Sequence, residues 1–557
     1  MTASATRYGS DAIVDLMIEA DIEHVAFNPG ASFRGIHDSL VHTDGGPQVV
    51  LCMHEAVSVA AAQGYAKAAG KPMAVLLHDV VGLQNASMAI YNAWCDRVPM
   101  LLIGGTGPKS KARRRPWIDW IHTATVQAEQ VRNYVKWDDE PHDMASVPES
   151  FARAYTTTCA EPAGPVYLCY DVELQEDPLP NDYAAEPLSG YAMPAAPAAS
   201  PADLDELAAA LHAAERPAII AGYATGVDAL ADVLGAPVID KGMRLALPTA
   251  HPLNASGVKG VLEEADVVLA LDVDELRGPL GVAPSCKLLN VSLGHLRLRG
   301  WAHDYGPLQP AAMQVTAAAD TVVRELAERL AGQPPRSEVG GRRSEIVRRV
   351  SEAREGWRSS AAAAEADGCV PLERLVYELG EVLDGERFVL ANGTNERIEH
   401  RLWSLTEPRQ YLGWHAGGGL GYGVGATIGA SLALGRDTIS VSVQADGDLL
   451  YTPSGLWTAA QLSLPTLFVV HNNRQYGNTV EHARKIATAR GRSADNRYEG
   501  AGLGEPAVGL AQLAQSFGVW ASGPVADPAS LKEALERALE VVRSGRPALV
   551  DVVTPGF

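Results

Sequence analysis

What the chain lacks narrows its class first. Its six cysteines, Cys52, Cys95, Cys159, Cys169, Cys286 and Cys369, are scattered, with no Cys-x-x-Cys pair. That pattern reads as reduced thiols in a cytoplasmic protein and excludes a disulfide or zinc framework. No apolar run reaches the ~20 residues needed to span a bilayer, and Met1 to Asp11 carries no basic segment followed by an apolar core, so neither a membrane nor a secretory route is expected. Positive charge is short: 46 Lys and Arg stand against 67 Asp and Glu, a formal net charge of −21. A surface this acidic repels phosphate backbones, which argues against nucleic acid and anionic lipid as partners. A Gly-x-Gly-x-x-Gly fingerprint is also missing where a second α/β unit begins. There the chain reads Gly222-Tyr223-Ala224-Thr225-Gly226, so no dinucleotide is indicated.

What is present is an α/β rhythm. The 557 residues suffice for about three domains. Apolar strand runs alternate with Ala-rich helical patterns from the start: strands over 24–28, 48–53, 73–77 and 99–104, and helices over 9–20, 56–69 and 83–93. Such alternation predicts doubly wound parallel sheets. A Pro- and Ala-rich stretch from Glu176 to Pro201 reads as a linker. The expected division is 1–180, 200–332 and 369–557, with the polar, strandless stretch Gly332 to Gly368 leading into the last domain. A basic cluster, Lys109, Lys111, Arg113, Arg114 and Arg115, is either a solvated loop or a positive rim that draws in a carboxylate.

The densest chemical signal lies near the C-terminus. Asp446, in Ala445-Asp446-Gly447-Asp448, follows a β-branched strand, and Asn473, in His471-Asn472-Asn473-Arg474-Gln475, follows the next apolar strand. The 27-residue spacing suits a right-handed strand–helix–strand crossover that returns the chain to the same sheet edge. Two oxygen ligands there, completed by the Gln475 carbonyl and phosphate oxygens, suit a hard divalent cation such as Mg2+. Upstream, Gly417-Gly418-Gly419-Leu420-Gly421-Tyr422-Gly423 opens a small-residue helix; it allows close approach of a ligand to the backbone, or of one helix to another. Glu55 opens a helix, where any acid is favoured by the helix dipole.

The Asp446-Gly447 … Asn472-Asn473 pattern resembles the thiamine diphosphate motif, with Ala445 in place of its first glycine. His54-Glu55-Ala56 … Gln63-Gly64-Tyr65-Ala66 is similar to the cofactor-activating glutamate segment of the same enzymes. Leu77-His78-Asp79 … Tyr91-Asn92-Ala93-Trp94, Val135-Lys136-Trp137 and Leu456-Trp457-Thr458-Ala459 narrow the resemblance toward the benzoylformate decarboxylase group. Such kinship implies three doubly wound parallel-sheet α/β domains: pyrimidine-binding, middle and diphosphate-binding. It implies thiamine diphosphate and Mg2+ as cofactors. The implied metal ligands are Asp446, Asn473 and the Gln475 carbonyl. Cofactor contacts would come from Glu55, the Gly418 carbonyl, the Leu420 wedge, and Thr394, Asn395, Gly447, Asp448 and Tyr476 on the diphosphate side.

The implied activity is decarboxylation of a 2-oxo acid to an aldehyde through a C2-linked enamine, by a lyase. The catalytic residues would be Glu55 and His78, with His482 or Glu481 as further acid/base groups. His78 is equally an ordinary imidazole near a strand end, and Glu481 equally a surface helix acid. A carboligase or C–C lyase of the acyloin or acetolactate synthase kind would use the same intermediate, and a catalytically silent cofactor-binding paralogue is the reading from another class. The small-molecule 2-oxo acid would be handled by a homodimer or homotetramer with active sites between chains. Three departures stand out. The turn reads Asn28-Pro29-Gly30-Ala31-Ser32, so the substrate-contacting hydroxyl of that group is lost or displaced by one residue. No second catalytic histidine is recognisable in the middle domain, where His251 looks structural. Asn478 and His482 stand where the aryl-specific enzyme has apolar or aromatic residues, which implies a more polar pocket.

Overall fold

The computed structural model describes residues 6–281, 285–297, 308–333, 338–494 and 499–556. Residues 1–5 of the N-terminal stretch and the terminal Phe557 lie outside them. Three sheets form, every strand pair parallel. The first has six strands in the order β2-β1-β3-β4-β6-β5, from β1 (His24–Phe27), β2 (Gln48–Leu51), β3 (Ala74–His78), β4 (Met100–Thr106), β5 (Asp138–Asp139) and β6 (Pro165–Asp171). A second, in the order β11-β10-β9-β7-β8, uses β7 (Pro217–Ala221), β8 (Val238–Asp240), β9 (Val267–Leu271), β10 (Lys287–Val291) and β11 (Met313–Val315). The third, β12-β13-β14-β16-β15, uses β12 (Phe388–Asn392), β13 (Ile439–Ala445), β14 (Thr466–Asn472), β15 (Trp520–Val525) and β16 (Ala548–Val553). Central strands such as β3, β9 and β14 are near-continuous runs of Val, Leu, Ala and Phe because helices cover both faces of a parallel sheet.

By packing, the chain divides into two compact units. One comprises 1–196, 296–303 and 415–434; the other comprises 197–295, 304–414 and 435–557. In the first, the glycine-opened helix Tyr422–Leu434 lies along the helix Glu55–Ala69. Its glycines are demanded by that approach. A Cβ on Gly429 would sit 1.8 Å from the Ala61 carbonyl oxygen, and one on Gly64 would sit 2.1 Å from that of Ala426. Between these helices a buried Lys67–Asp96 pair at 2.6 Å is completed by the Gln63 amide, and Lys67 also reaches the Tyr422 hydroxyl.

In the second unit, the polar stretch expected only to lead into the last domain is largely one helix, Glu338–Ala362. Its sparse apolar residues repeat at helical spacing, and charge between them hides the period. Ile346 and Val350 join the core around β7 and β9, and Ala361 with Trp357 joins the core around β13 and β14. The basic cluster is not a free positive rim. Lys109 pairs with Glu140, Arg113 with Asp177, Arg115 with Asp119, and Arg114 donates to the Pro108 carbonyl.

Candidate active site

In the second unit the carboxyl ends of β13 and β14 lie side by side, Ala445 opposite His471, so Asp446 and Asn473 leave the same edge of the sheet. Asp446 begins a single helical turn, Asp446–Leu449, directly at the strand end, where a loop had been expected. Its carboxylate accepts the N–H groups of Gly447 and Arg474, which ties the two strand ends together. Its Oδ1, however, is buried with no hydrogen-bond partner, and burial pushes the acid up to about 6. An orphaned carboxylate oxygen at one strand end, with an amide oxygen carried at the end of the neighbouring strand, is a donor set that suits a hard cation. Among the described residues Asn473 Oδ1 accepts the Gln475 N–H at 3.1 Å, and the Gln475 carbonyl accepts Gly477 N–H at 3.0 Å, leaving each oxygen a lone pair. The Tyr476 ring packs on Gly447, where a Cβ would come within 2.8 Å of it. Asp448 is half-buried beside them.

Other sequence-derived candidates in that unit are placed differently. The Thr394 hydroxyl and N–H both donate to buried Glu399, at 2.8 Å each, so that hydroxyl is committed within its own turn; Asn395 is exposed. Glu481 forms an ion pair with Lys485 one helical turn on, which holds its carboxyl below the usual range, and His482 and Asn478 are exposed on the same helix, Gly477–Ala489.

In the first unit Glu55 is buried at the start of its helix, behind His54, which accepts the Ala56 N–H as N-cap. Asn28 donates to its Oε1 and Asn85 to its Oε2, each at 3.1 Å. Two amides thus fix the carboxylate while leaving lone pairs for a further donor. Gly418 has φ +74 and open space where a Cβ would stand. Beside it, the Asn92 side chain clamps Gly419, accepting its N–H and donating to its carbonyl at 3.0 Å each. Leu420 projects outward, 41 % exposed. The spacing therefore flagged Asn92 only as part of a likeness; its work is to hold the Gly418–Leu420 turn.

His78 ends β3, and its Nδ1 lies 2.9 Å from Ser32 Oγ. The hydroxyl absent from position 31 is thus displaced by one residue onto this histidine. Gly30 makes the approach possible, because a Cβ there would meet His78 Cβ at 2.4 Å. The next residue, Asp79, has φ +36, a left-handed conformation rare for a side chain of any size, and is 1 % exposed. Burial pushes its carboxyl up to about 7. His122, from the short helix Ile118–His122, sets its ring edge-on to His78 with centroids 5.4 Å apart. One ligating atom from each of His78, Asp79 and His122 lies within 4.8 Å of the others. Burial, then the neighbouring His122, holds His78 below its usual range. Sequence reading singled out neither Asp79 nor His122; the histidine that the structure sets beside His78 comes from the loop after β4.

Comparison with known proteins matches a cofactor-binding domain to each of these two stretches of the chain. Residues 7–130 match the thiamine pyrophosphate enzyme N-terminal TPP binding domain, and residues 391–552 match the C-terminal TPP binding domain. Among curated proteins, benzoylformate decarboxylase of Pseudomonas aeruginosa is 27% identical over 91% of each chain. The acetolactate synthase isozyme 3 large subunit of Escherichia coli is 24% identical over 98% of this chain and 95% of its own length. A solved structure, the thiamine diphosphate-dependent 4-hydroxybenzoylformate decarboxylase of Rhodococcus jostii, superposes with a TM-score of 0.79 at 21% identity over 99% of this chain and all of its own. With both cofactor-binding domains present, and a buried acid at the head of one and an orphaned carboxylate at the sheet edge of the other, the chain belongs to the thiamine pyrophosphate enzymes.

Proposed function

We propose that this protein is a thiamine diphosphate- and Mg2+-dependent decarboxylase that converts a 2-oxo acid to an aldehyde. The observation that carries this reading is the set of proton-carrying groups, Ser32, His78, Asp79 and His122, gathered in the same unit as the buried Glu55. Loss of CO2 leaves a carbon that must be protonated, and a site rich in proton donors favours a proton over a second carbonyl as its captor.

When bound, thiamine diphosphate supplies the electron sink for the carbon that loses CO2. The side-chain oxygens of Asp446 and Asn473 and the Gln475 carbonyl would hold Mg2+, with Gly447, Asp448 and Tyr476 on the diphosphate side. Glu55, fixed by Asn28 and Asn85, holds or releases a proton toward the aminopyrimidine. The Gly418 carbonyl would take the amino group and Leu420 would support the ring, both kept in place by Asn92. His78 delivers the proton that replaces CO2. Thr394, Asn395, Glu481 and His482 have weaker support, the first because its hydroxyl is spent on Glu399 and the others because they lie toward the surface.

Carboligation is the second reading, supported by the acetolactate synthase relative. Incubating the holoenzyme with a panel of 2-oxo acids, with and without an acceptor aldehyde, separates the two. Release of CO2 and free aldehyde without acceptor is expected, whereas CO2 release only with acceptor overturns the first reading. We further propose a homodimer or homotetramer with active sites between chains. The exposed Trp117, Trp120 and Ile121 around His122 support it, since three large apolar side chains on one short segment suit burial by a second copy. Six free cysteines fit a cytoplasmic location.

A further inference from the structure

We propose that Asp79 is a proton store for His78 and that the Ser32 hydroxyl is the relay between them. The use of the stored proton rests on the decarboxylase reading; its existence does not.

The geometry leaves one route. His78 Nδ1 and the nearer Asp79 oxygen, Oδ2, are 3.6 Å apart, too far for a direct hydrogen bond. Ser32 Oγ fills the gap, 2.9 Å from Nδ1 and hydrogen-bonded to the Asp79 carboxyl. It also accepts the Asp79 N–H at 3.2 Å, which fixes the hydroxyl oxygen and leaves only its hydrogen to turn. Two arrangements satisfy the Ser32 hydroxyl and His78 Nδ1, while Asp79 Oδ1 stays buried without a hydrogen-bond partner in both. In one, the neutral carboxyl donates to Ser32 Oγ, and Ser32 donates to a His78 ring protonated on Nε2. In the other, His78 carries its proton on Nδ1 and donates to Ser32, which donates to an ionised Asp79.

Passing between them moves one proton outward. His78 gives its Nε2 proton to the carbon that has lost CO2, Ser32 passes its proton to Nδ1, and Asp79 passes its own to Ser32 and is left as carboxylate. No other bond is broken, and solvent restores the proton at Nε2 once product departs. Burial keeps the store about half full at neutrality and fuller below it, since it raises the Asp79 acid to about 7. The surroundings do not short-circuit it. Asp119 is committed to Arg115 at 2.7 Å, Gly107 offers only its N–H, Glu55 is held by two amides, and His122 faces the ring of His78 with its own Nδ1 buried and unpartnered. Left-handed backbone at Asp79 is strain retained where the carboxyl must turn back toward Ser32.

The test begins with pH-difference infrared spectroscopy of the full-length protein without cofactor. Asp240 and Asp446, raised by burial to about 6, give carboxyl signal in both proteins; a further component that disappears as pH rises through about 7 is expected in wild type and is absent from Asp79→Asn, a variant whose side chain tolerates the left-handed backbone. A wild-type spectrum without that component, or the same component in Asp79→Asn, overturns the proposal. The second measurement is the pH profile of kcat for the holoenzyme with benzoylformate and aliphatic 2-oxo acids. Wild type should lose activity as pH rises through about 7, and Asp79→Asn should lose that limb while KM holds. Ser32→Ala should lower kcat about 100-fold, and Ser32→Thr, which restores a hydroxyl, should recover most of it. An unchanged limb in Asp79→Asn, or Ser32→Ala as active as Ser32→Thr, overturns the relay. Should no 2-oxo acid turn over, the decarboxylase reading fails while the infrared result still decides the store.

Discussion

The two half-sites were built by different rules. On the diphosphate side, Asp446, Asn473 and Gln475 belong to consecutive strands of one crossover, and the parallel pairing of β13 with β14 brings them together at once. On the pyrimidine side, Ser32, His78 and His122 come from the loops after β1, β3 and β4; Ser32 and His78 alone are 46 residues apart. The first is a local motif whose spacing is dictated by the length of a strand–helix–strand unit. The second is a product of strand order, since β1, β3 and β4 are neighbours and deliver their carboxyl ends to one place. Short-range chemistry is readable as a pattern; a cluster assembled by sheet order is not.

The sharpest way to break this contrast is Asp446→Ala. It removes the orphaned Oδ1 and the carboxylate that joins the two strand ends. Affinity for thiamine diphosphate with Mg2+ should fall more than about 100-fold, measured by circular dichroism titration, and turnover should vanish with it. Retained affinity would mean that the legible motif is not the metal site. Glu55→Gln should do the reverse: binding persists while turnover falls about 100-fold or more. A single-turnover assay on the saturated variant distinguishes this from lost affinity.

On the helix that Glu55 opens, Lys67→Met strips the cation from an ion pair with both side chains almost wholly buried, and leaves the buried Asp96 carboxylate with the Gln63 amide but without its lysine. About 3–5 kcal/mol of stability should be lost in urea denaturation, while Lys67→Met with Asp96→Leu recovers much of it. A null result would show that the pyrimidine-side helix is held by the Gly64, Gly425 and Gly429 packing alone.

How much was legible follows the same divide. Strand runs and the three sheets are written in local periodicity, as is the crossover bearing Asp446 and Asn473. The helix Glu338–Ala362 was missed because its core-facing residues Ile346, Val350, Trp357 and Ala361 sit among many charges. Asp79 and His122 were missed because nothing local distinguishes them: one follows a histidine and the other follows two exposed tryptophans in a loop. The glycine run was legible as a close approach, but not that Gly429 serves helix packing and Gly419 the Asn92 clamp.

The smallest expected effect concerns Glu481, for which sequence likeness and structure pull in opposite directions. A Thr-Val-Glu run after the Asn pair resembles a proton-transfer motif, yet the side chain is spent on Lys485 at the solvent face of its helix, and an exposed pair of this kind contributes little. Its acid is held low by that lysine, so at neutral pH it carries no proton to give. Glu481→Gln should therefore leave the melting midpoint and the pH profile of kcat unchanged, with kcat itself within about two-fold of wild type. A large loss in kcat with the fold intact would mean that the helix Gly477–Ala489 turns its exposed face onto substrate in the assembled enzyme, and that the diphosphate side contributes acid–base chemistry as well as the metal.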